Sequence, residues 1–102
     1  MEIQYKLSKG TIIIKLCGEL DEHTANYTRN ALDELLLNNS FMQAVIDLSE
    51  LEFMDSTGIG VLIGRYKKLK NSKTPIYISN PNSQIERIFK MSGLYEIMPK
   101  IS

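Results

Sequence analysis

An α/β domain, a mixed and mostly parallel β-sheet of four to five strands with helices packed on it, is what this 102-residue chain predicts. Three observations carry that prediction. The first 20 residues hold two strand-like apolar runs separated only by Lys9-Gly10, a hairpin signal. Beyond them, short β-branched runs alternate with segments of helical period, which implies right-handed crossovers between parallel strands. The length fits one domain spanning residues 1–102, with no repeat, linker or low-complexity segment to divide it.

The elements follow in order. Ile3, Tyr5 and Leu7 alternate with polar residues as in a half-buried strand, and Thr11 to Leu16 reads as a second, more buried one ended by Gly18. Asp21 or Thr24 is placed to cap a first helix running to about Leu37, with Ala25, Ala31, Leu32, Leu35 and Leu36 on one face and Asn38-Asn39 closing it. Gln43 to Leu48, centred on Ala44-Val45-Ile46, is a short central strand, followed by a loop. Ile59, Leu62, Ile63, Tyr66 and Leu69 give the clearest helical period in the chain. Ile76-Tyr77-Ile78 is another buried strand. Asn80-Pro81 then predicts a cap followed by proline at the first helical position. Ile85, Ile88 and Phe89 form the stripe of a third helix ended by Gly93, and Tyr95 to Met98 is expected as a last short strand before Pro99. The order is β-β-α-β-α-β-α-β.

Composition excludes several classes of function. Twelve basic and twelve acidic residues cancel, so the whole-chain field gives no reason to expect nucleic acid or an acidic membrane as a partner. The densest basic segment, Arg65-Tyr66-Lys67-Lys68-Leu69-Lys70, sits at a predicted helix end, where cations suit the dipole. Cys17 is the only cysteine, so no internal disulfide forms, and in an apolar strand it is expected to be a small buried hydrophobe. The N-terminal residues lack the order of a signal peptide, and no apolar run nears the ~20 residues of a membrane span. The expectation is a cytoplasmic protein. With no obvious exposed apolar stripe, a monomer is expected when the chain is free.

The most informative stretch is Phe53-Met54-Asp55-Ser56-Thr57-Gly58-Ile59-Gly60, between a strand-like and a helix-like run. It sets two hydroxyls at a helix start, where unpaired N–H groups and the helix dipole favour negative charge. Ser56 or Thr57 is also a good N-cap, and the two roles are compatible. Gly58, Gly60 and Gly64 each cost about 1 kcal/mol relative to alanine inside a helix, so something should offset them. Gly60 and Gly64 are four apart and share a face, so close packing on the sheet is one account, and a helix start kept open to a partner is another. A dinucleotide loop fails on spacing, because Ile63 stands where the third glycine is required, and no Gly-Lys-Ser/Thr completes a P-loop. His23 has no second His or Cys near it in sequence, which argues against a metal site. Glu19, Asp21, Glu22 and Asp55 as an acid/base set is a weak signal, since exposed loops ordinarily carry carboxylates. A hydroxyl so placed without catalytic company reads as an acceptor acted on by a partner.

The run Phe53 to Lys67, with Gly18-Glu19-Leu20-Asp21-Glu22-His23-Thr24-Ala25 and Met91-Ser92-Gly93-Leu94, resembles the STAS-domain family of bacterial anti-sigma-factor antagonists. Gly64-Arg65-Tyr66-Lys67 favours its sporulation branch. The matching pieces lie in order across most of the chain. The resemblance implies a single STAS domain and partner switching, with no enzymatic activity of its own. The unphosphorylated form binds an anti-sigma factor that is also a serine kinase, freeing a sigma factor. The kinase phosphorylates the serine after the motif aspartate, here Ser56, and the complex is lost. A PP2C-type serine phosphatase restores the hydroxyl. ATP and magnesium come with the kinase, so no cofactor is expected on this chain. By position the resemblance places Glu19 and Asp21 on the partner surface, with Asp55, Ser56, Thr57 and Gly58. It implies a bacterial source, an endospore former. Family members usually continue into a further C-terminal helix. A nucleotide-binding STAS sensor, or the same switch in a general stress pathway, are the alternatives.

Overall fold

The computed structural model describes residues 1–102. The elements are β1 (Glu2–Ser8), β2 (Thr11–Leu20), α1 (Ala25–Asn38), β3 (Gln43–Asp47), β4 (Leu51–Met54), α2 (Ser56–Asn71), β5 (Ile76–Ser79), α3 (Ser83–Ser92) and a 3₁₀ turn at Leu94–Glu96. The sheet runs β1-β2-β3-β5, with β4 also paired to β2. Only β1–β2 is antiparallel; β2–β3, β2–β4 and β3–β5 are parallel. This is the mixed, mostly parallel α/β sheet that the sequence predicts.

The hairpin turns at Lys9 and Gly10, both at positive φ, the geometry that matches the twist of a two-residue connection. Ile12, Ile14 and Leu16 alternate into the core at 0% exposure and meet Leu32 of α1 and Leu62 of α2 in one cluster. β2 is long enough to serve two neighbours. Its first half pairs with β3, and its last three residues pair with β4, with a register shift between Gly18 and Glu19.

That shift corrects the expected end of the second strand. Gly18 does not end β2; at φ 119° it forms the irregularity through which the strand changes partner, and its N–H donates to Glu50 O at 3.0 Å. It also explains β4, a strand where the sequence predicts a loop. Leu51 to Met54 alternates weakly (Leu51 and Met54 buried, Glu52 and Phe53 exposed), so periodicity alone hides a four-residue strand.

Three further expectations change. The cap of α3 is Asn82, not Asn80: Asn82 Oδ1 accepts from Ile85 N at 2.9 Å, while Asn80 sits at φ 55°, outside the extended region a cap requires. The last strand does not form at Tyr95–Met98, where Gly93 at φ 75° turns the chain into the 3₁₀ turn and buries Leu94 and Met98. Strand-like pairing comes instead from the tail beyond it, where Ile78 N donates to Pro99 O and Ile101 N to Ile78 O, both at 2.9 Å, and Asn80 N to Ser102 O at 2.8 Å. The chain also carries an exposed apolar strip after all. Tyr5 and Leu7 on β1 are 51% and 49% exposed, beside Tyr27 of α1 at 57%.

Arg65 leaves the surface role that its basic neighbourhood implied. It is 5% exposed, with Nε 2.9 Å from Asp33 Oδ1, while Lys68 Nζ lies 2.9 Å from Asp33 Oδ2. One carboxylate on α1 therefore ties two cations of α2. Burial pulls the Arg65 guanidinium below its usual pKa, and Asp33 opposes that shift. Lys68 and Lys70 occupy the last turn of α2, at the negative end of its dipole. No helix is long and apolar enough to cross a membrane.

Candidate functional site

Two loops leave the same end of the sheet side by side. β2 and β4 run parallel with Glu19 opposite Phe53 and Leu20 opposite Met54, and Asp55 N donates to Leu20 O at 3.3 Å. The chain therefore enters Asp21 and Asp55 from adjacent strand ends. Glu19 and Asp21 are brought next to Asp55, Ser56 and Thr57, though more than 30 residues separate the two groups in sequence.

Each loop is shaped by its own aspartate. Asp21 Oδ1 accepts from His23 N at 2.9 Å and Thr24 N at 3.2 Å, and Thr24 Oγ1 returns the bond by accepting from Asp21 N at 3.1 Å. Thr24 Oγ1 also donates to Glu19 O at 2.8 Å, so the turn into α1 is closed on itself. In the second loop Asp55 is the N-cap of α2, its Oδ1 accepting from Thr57 N at 2.9 Å and Gly58 N at 3.3 Å. In both aspartates Oδ1 is committed to the fold and Oδ2 takes no hydrogen bond within the chain.

This corrects the cap expected at Ser56 or Thr57. Asp55 caps, and neither Ser56 nor Thr57 does. Ser56 is the first residue of α2, exposed, and its hydroxyl enters no intramolecular hydrogen bond. Its oxygen stands at the positive end of a 16-residue helix with solvent around it. Thr57 is half-buried.

Gly58 is buried, unlike the other residues expected on the partner surface. A Cβ there would lie 2.5 Å from Met54 Cγ, 2.9 Å from Leu20 Cγ and 3.0 Å from Leu20 O. Glycine at this position lets α2 start directly against the end of β2, which sets the distance between the two loops. A Cβ on Gly60 or Gly64 would meet nothing within 4 Å. The packing account expected of Gly60 and Gly64 therefore fails, and the glycine that packing requires is Gly58; the other two leave an open stripe running down α2 from Ser56, four residues apart.

Sequence reasoning missed two contributors. Phe53, opposite Glu19, is 41% exposed, a large apolar ring at the rim of the two loops. Asn82 braces the strand that carries the motif: its Nδ2 donates to Leu51 O and Glu52 O at 3.2 and 3.3 Å, and Gln84 Nε2 donates to Met54 O at 3.4 Å. Its only signal in sequence was a cap-forming residue type just after Pro81. No three side chains of the ligand-forming types gather where they could hold a metal ion.

The STAS-domain family model matches residues 2–102. The chain belongs to the STAS-domain family. Within that family it is 36% identical over 99 residues to an anti-sigma F factor antagonist of Paenibacillus polymyxa, covering 97% of this chain and 85% of that one. The STAS fold here superposes on the anti-sigma factor antagonist SpoIIAA in its unphosphorylated form with a TM-score of 0.81 at 26% identity, covering 99% of this chain and 89% of that one. Against the phosphorylated form of the Bacillus cell fate determinant SpoIIAA the TM-score is 0.73 at 26% identity, with 99% and 92% of the two chains covered. In this STAS domain the loops of Asp21 and Asp55 and the start of α2 form one continuous surface.

Proposed function

We propose that this STAS domain is an anti-sigma-factor antagonist of the sporulation type, switched by phosphorylation of Ser56. The partner is an anti-sigma factor with serine kinase activity, and a PP2C-type phosphatase reverses the modification. The observation that carries this reading is the Ser56 hydroxyl. It is exposed, unbonded and unneeded as a cap, because Asp55 has taken that role. Similarity to an anti-sigma F factor antagonist and to a protein known in phosphorylated and unphosphorylated forms supports it.

The kinase supplies ATP, magnesium and a base. Ser56 Oγ attacks the γ-phosphorus, ADP leaves, and the hydroxyl proton passes to the base of the kinase. On this chain the chemistry is one of presentation: the Asp55 cap orients α2, and Gly58 holds it against Leu20, so that Ser56 stands at the end of the sheet from which the Asp21 loop also leaves. The phosphoryl group adds roughly −1.5 to −2 charge beside the free oxygens of Asp55 and Asp21. The helix dipole tolerates that charge locally. A partner surface fitted to a neutral hydroxyl between carboxylates does not, and about 3 kcal/mol of like-charge and desolvation cost lowers affinity roughly a hundredfold. The switch needs no refolding, only a change in differential affinity.

Mixing the protein with its cognate anti-sigma kinase and magnesium-ATP, then locating phosphate by tandem mass spectrometry, tests this. One phosphoryl group on Ser56 with loss of the complex is the expected result, and Ser56→Ala is expected to bind and stay bound. Phosphate on Thr57 in the wild type, or release of Ser56→Ala at the normal rate, overturns the assignment of the acceptor.

A further inference from the structure

The strip along β1 is the surface of the molecule with the least explanation so far. β1 is an edge strand, paired to β2 alone. In a two-residue hairpin the residues flanking the turn form a hydrogen-bonded pair, here Ser8 with Thr11. Alternation then gives the backbone groups of Glu2, Gln4, Lys6 and Ser8 to β2, and directs those of Ile3, Tyr5 and Leu7 outward. The edge presents three consecutive sets of unpaired N–H and C=O groups, with no proline or bulge to blunt it.

The side chains on that strand are also uncovered on the helix side. Ile3, Tyr5 and Leu7 lie opposite Leu16, Ile14 and Ile12, which are 0% exposed, so all six share the face that the helices cover. Over β2 that cover is complete; over β1 it stops, and Tyr5 and Leu7 stay half exposed. A groove of mixed polarity, lined by Ile3, Tyr5, Tyr27 and Leu35 and by Glu34 and Asn38 among others, runs between β1 and α1.

We propose that β1 pairs antiparallel with β1 of a second copy of this chain, joining two sheets into one about a two-fold axis at Gln4. The choice of occupant rests on the strand's own charge pattern. With Gln4 opposite its symmetry mate, Glu2 faces Lys6 of the other copy twice, and Ile3 faces Tyr5 twice. The Glu2–Lys6 pairs fall at the non-hydrogen-bonded positions, where opposed side chains are closest. The outward-facing pairs Ile3–Tyr5 exchange the free backbone bonds. A two-fold axis perpendicular to the sheet keeps both helix layers on one side, so α1 of each copy flanks the central strands and Tyr27 closes over the partner's strip. β4 and α2 lie across β2 from this edge, so Ser56 stays accessible in the dimer. One strand pair with a helix flanking it on each side makes a small interface, and small interfaces belong to the weak, reversible class.

Sedimentation equilibrium on the full chain tests the proposal, with folding of each variant checked by circular dichroism. Glu2, Gln4 and Lys6 are exposed, so their substitution leaves the core intact. Wild type is expected to dimerise reversibly below about 1 mM, the weak end for a small interface. Glu2→Lys and Lys6→Glu each convert two attractive pairs into repulsive ones, and each is expected to weaken the dimer about tenfold. The double reversal Glu2→Lys/Lys6→Glu is expected to restore it. In a Cys17→Ala background, Gln4→Cys is expected to form a disulfide-linked dimer on mild oxidation. A wild type that stays monomeric to that concentration, a double reversal no better than the singles, or a Gln4→Cys chain that fails to cross-link overturns the proposal. Phosphorylation of Ser56 has no part in any of these readouts, so they stand apart from the switch.

Discussion

Alanine at Gly58 and alanine at Gly60 are expected to change stability in opposite directions, although both replace a glycine in the first turns of α2. Each substitution gains about 1 kcal/mol of helix propensity. At Gly60 nothing lies within 4 Å of the new methyl, so the gain stands alone. At Gly58 the methyl would be 2.5 Å from Met54 Cγ, 2.9 Å from Leu20 Cγ and 3.0 Å from the Leu20 carbonyl. Leu20 and Met54 are 0% and 1% exposed, so neither has space to move into. Overpacking of this kind reaches about 3 kcal/mol, which less the propensity gain leaves a net loss of about 2 kcal/mol. For a chain of this size each kcal/mol moves the melting temperature by roughly 4–8 °C. Gly58→Ala should therefore melt roughly 10 °C below wild type, and Gly60→Ala a few degrees above it. Urea unfolding with the m-value held in common measures the difference directly. A Gly58→Ala chain as stable as wild type would refute the close approach of α2 to β2. A destabilised Gly60→Ala chain would refute the open stripe. If the stripe receives a partner, the stabilised Gly60→Ala also binds the anti-sigma factor more weakly, a trade of stability against function.

Three other perturbations follow from the same geometry. Asp55→Ala removes the acceptor for Thr57 N and Gly58 N and should cost about 1 kcal/mol, measured by thermal unfolding, whereas Asp55→Asn retains most of the cap. Asp33→Ala strands the buried Arg65 and should destabilise by about 3 kcal/mol, while Arg65→Met, which removes the buried charge itself, should cost much less in the same urea titration. Glu86 carries the third: its hydrogen bond to Lys100, and then the Lys100 charge, hold its pKa below the ordinary glutamate value of 4.5. Because the folded pKa is the lower one, the contact is fully present above pH 4.5 and is lost as the pH falls through the folded value. The tail paired to β5 should then loosen, read as a chemical-shift change at the Ile101 amide below pH 4.5 that is absent in Glu86→Gln.

Much of this molecule was legible in the chain itself, for a reason tied to local chemistry. The Lys9-Gly10 turn, the helical period from Ile59 to Leu69 and the αL stop at Gly93 are each dictated within a few residues, so spacing and residue type suffice to read them. The exposed serine at the head of a helix was legible in the same way. What lay beyond reach depended on partners distant in sequence. β4 exists because Gly18 lets β2 change neighbours, and four residues of mixed burial carry no period to announce it. The cap passed from Ser56 to Asp55 because the strand pairing of Met54 with Leu20 sets where the helix begins. The three glycines of α2 look alike as letters; only the position of Leu20 and Met54 makes one indispensable to packing and leaves two facing open space. Tyr5 and Leu7 read as half-buried by alternation, yet how far a helix layer extends over an edge strand is decided by packing across the whole sheet. Local preference therefore determined which elements form, and long-range contact decided which surfaces they leave free.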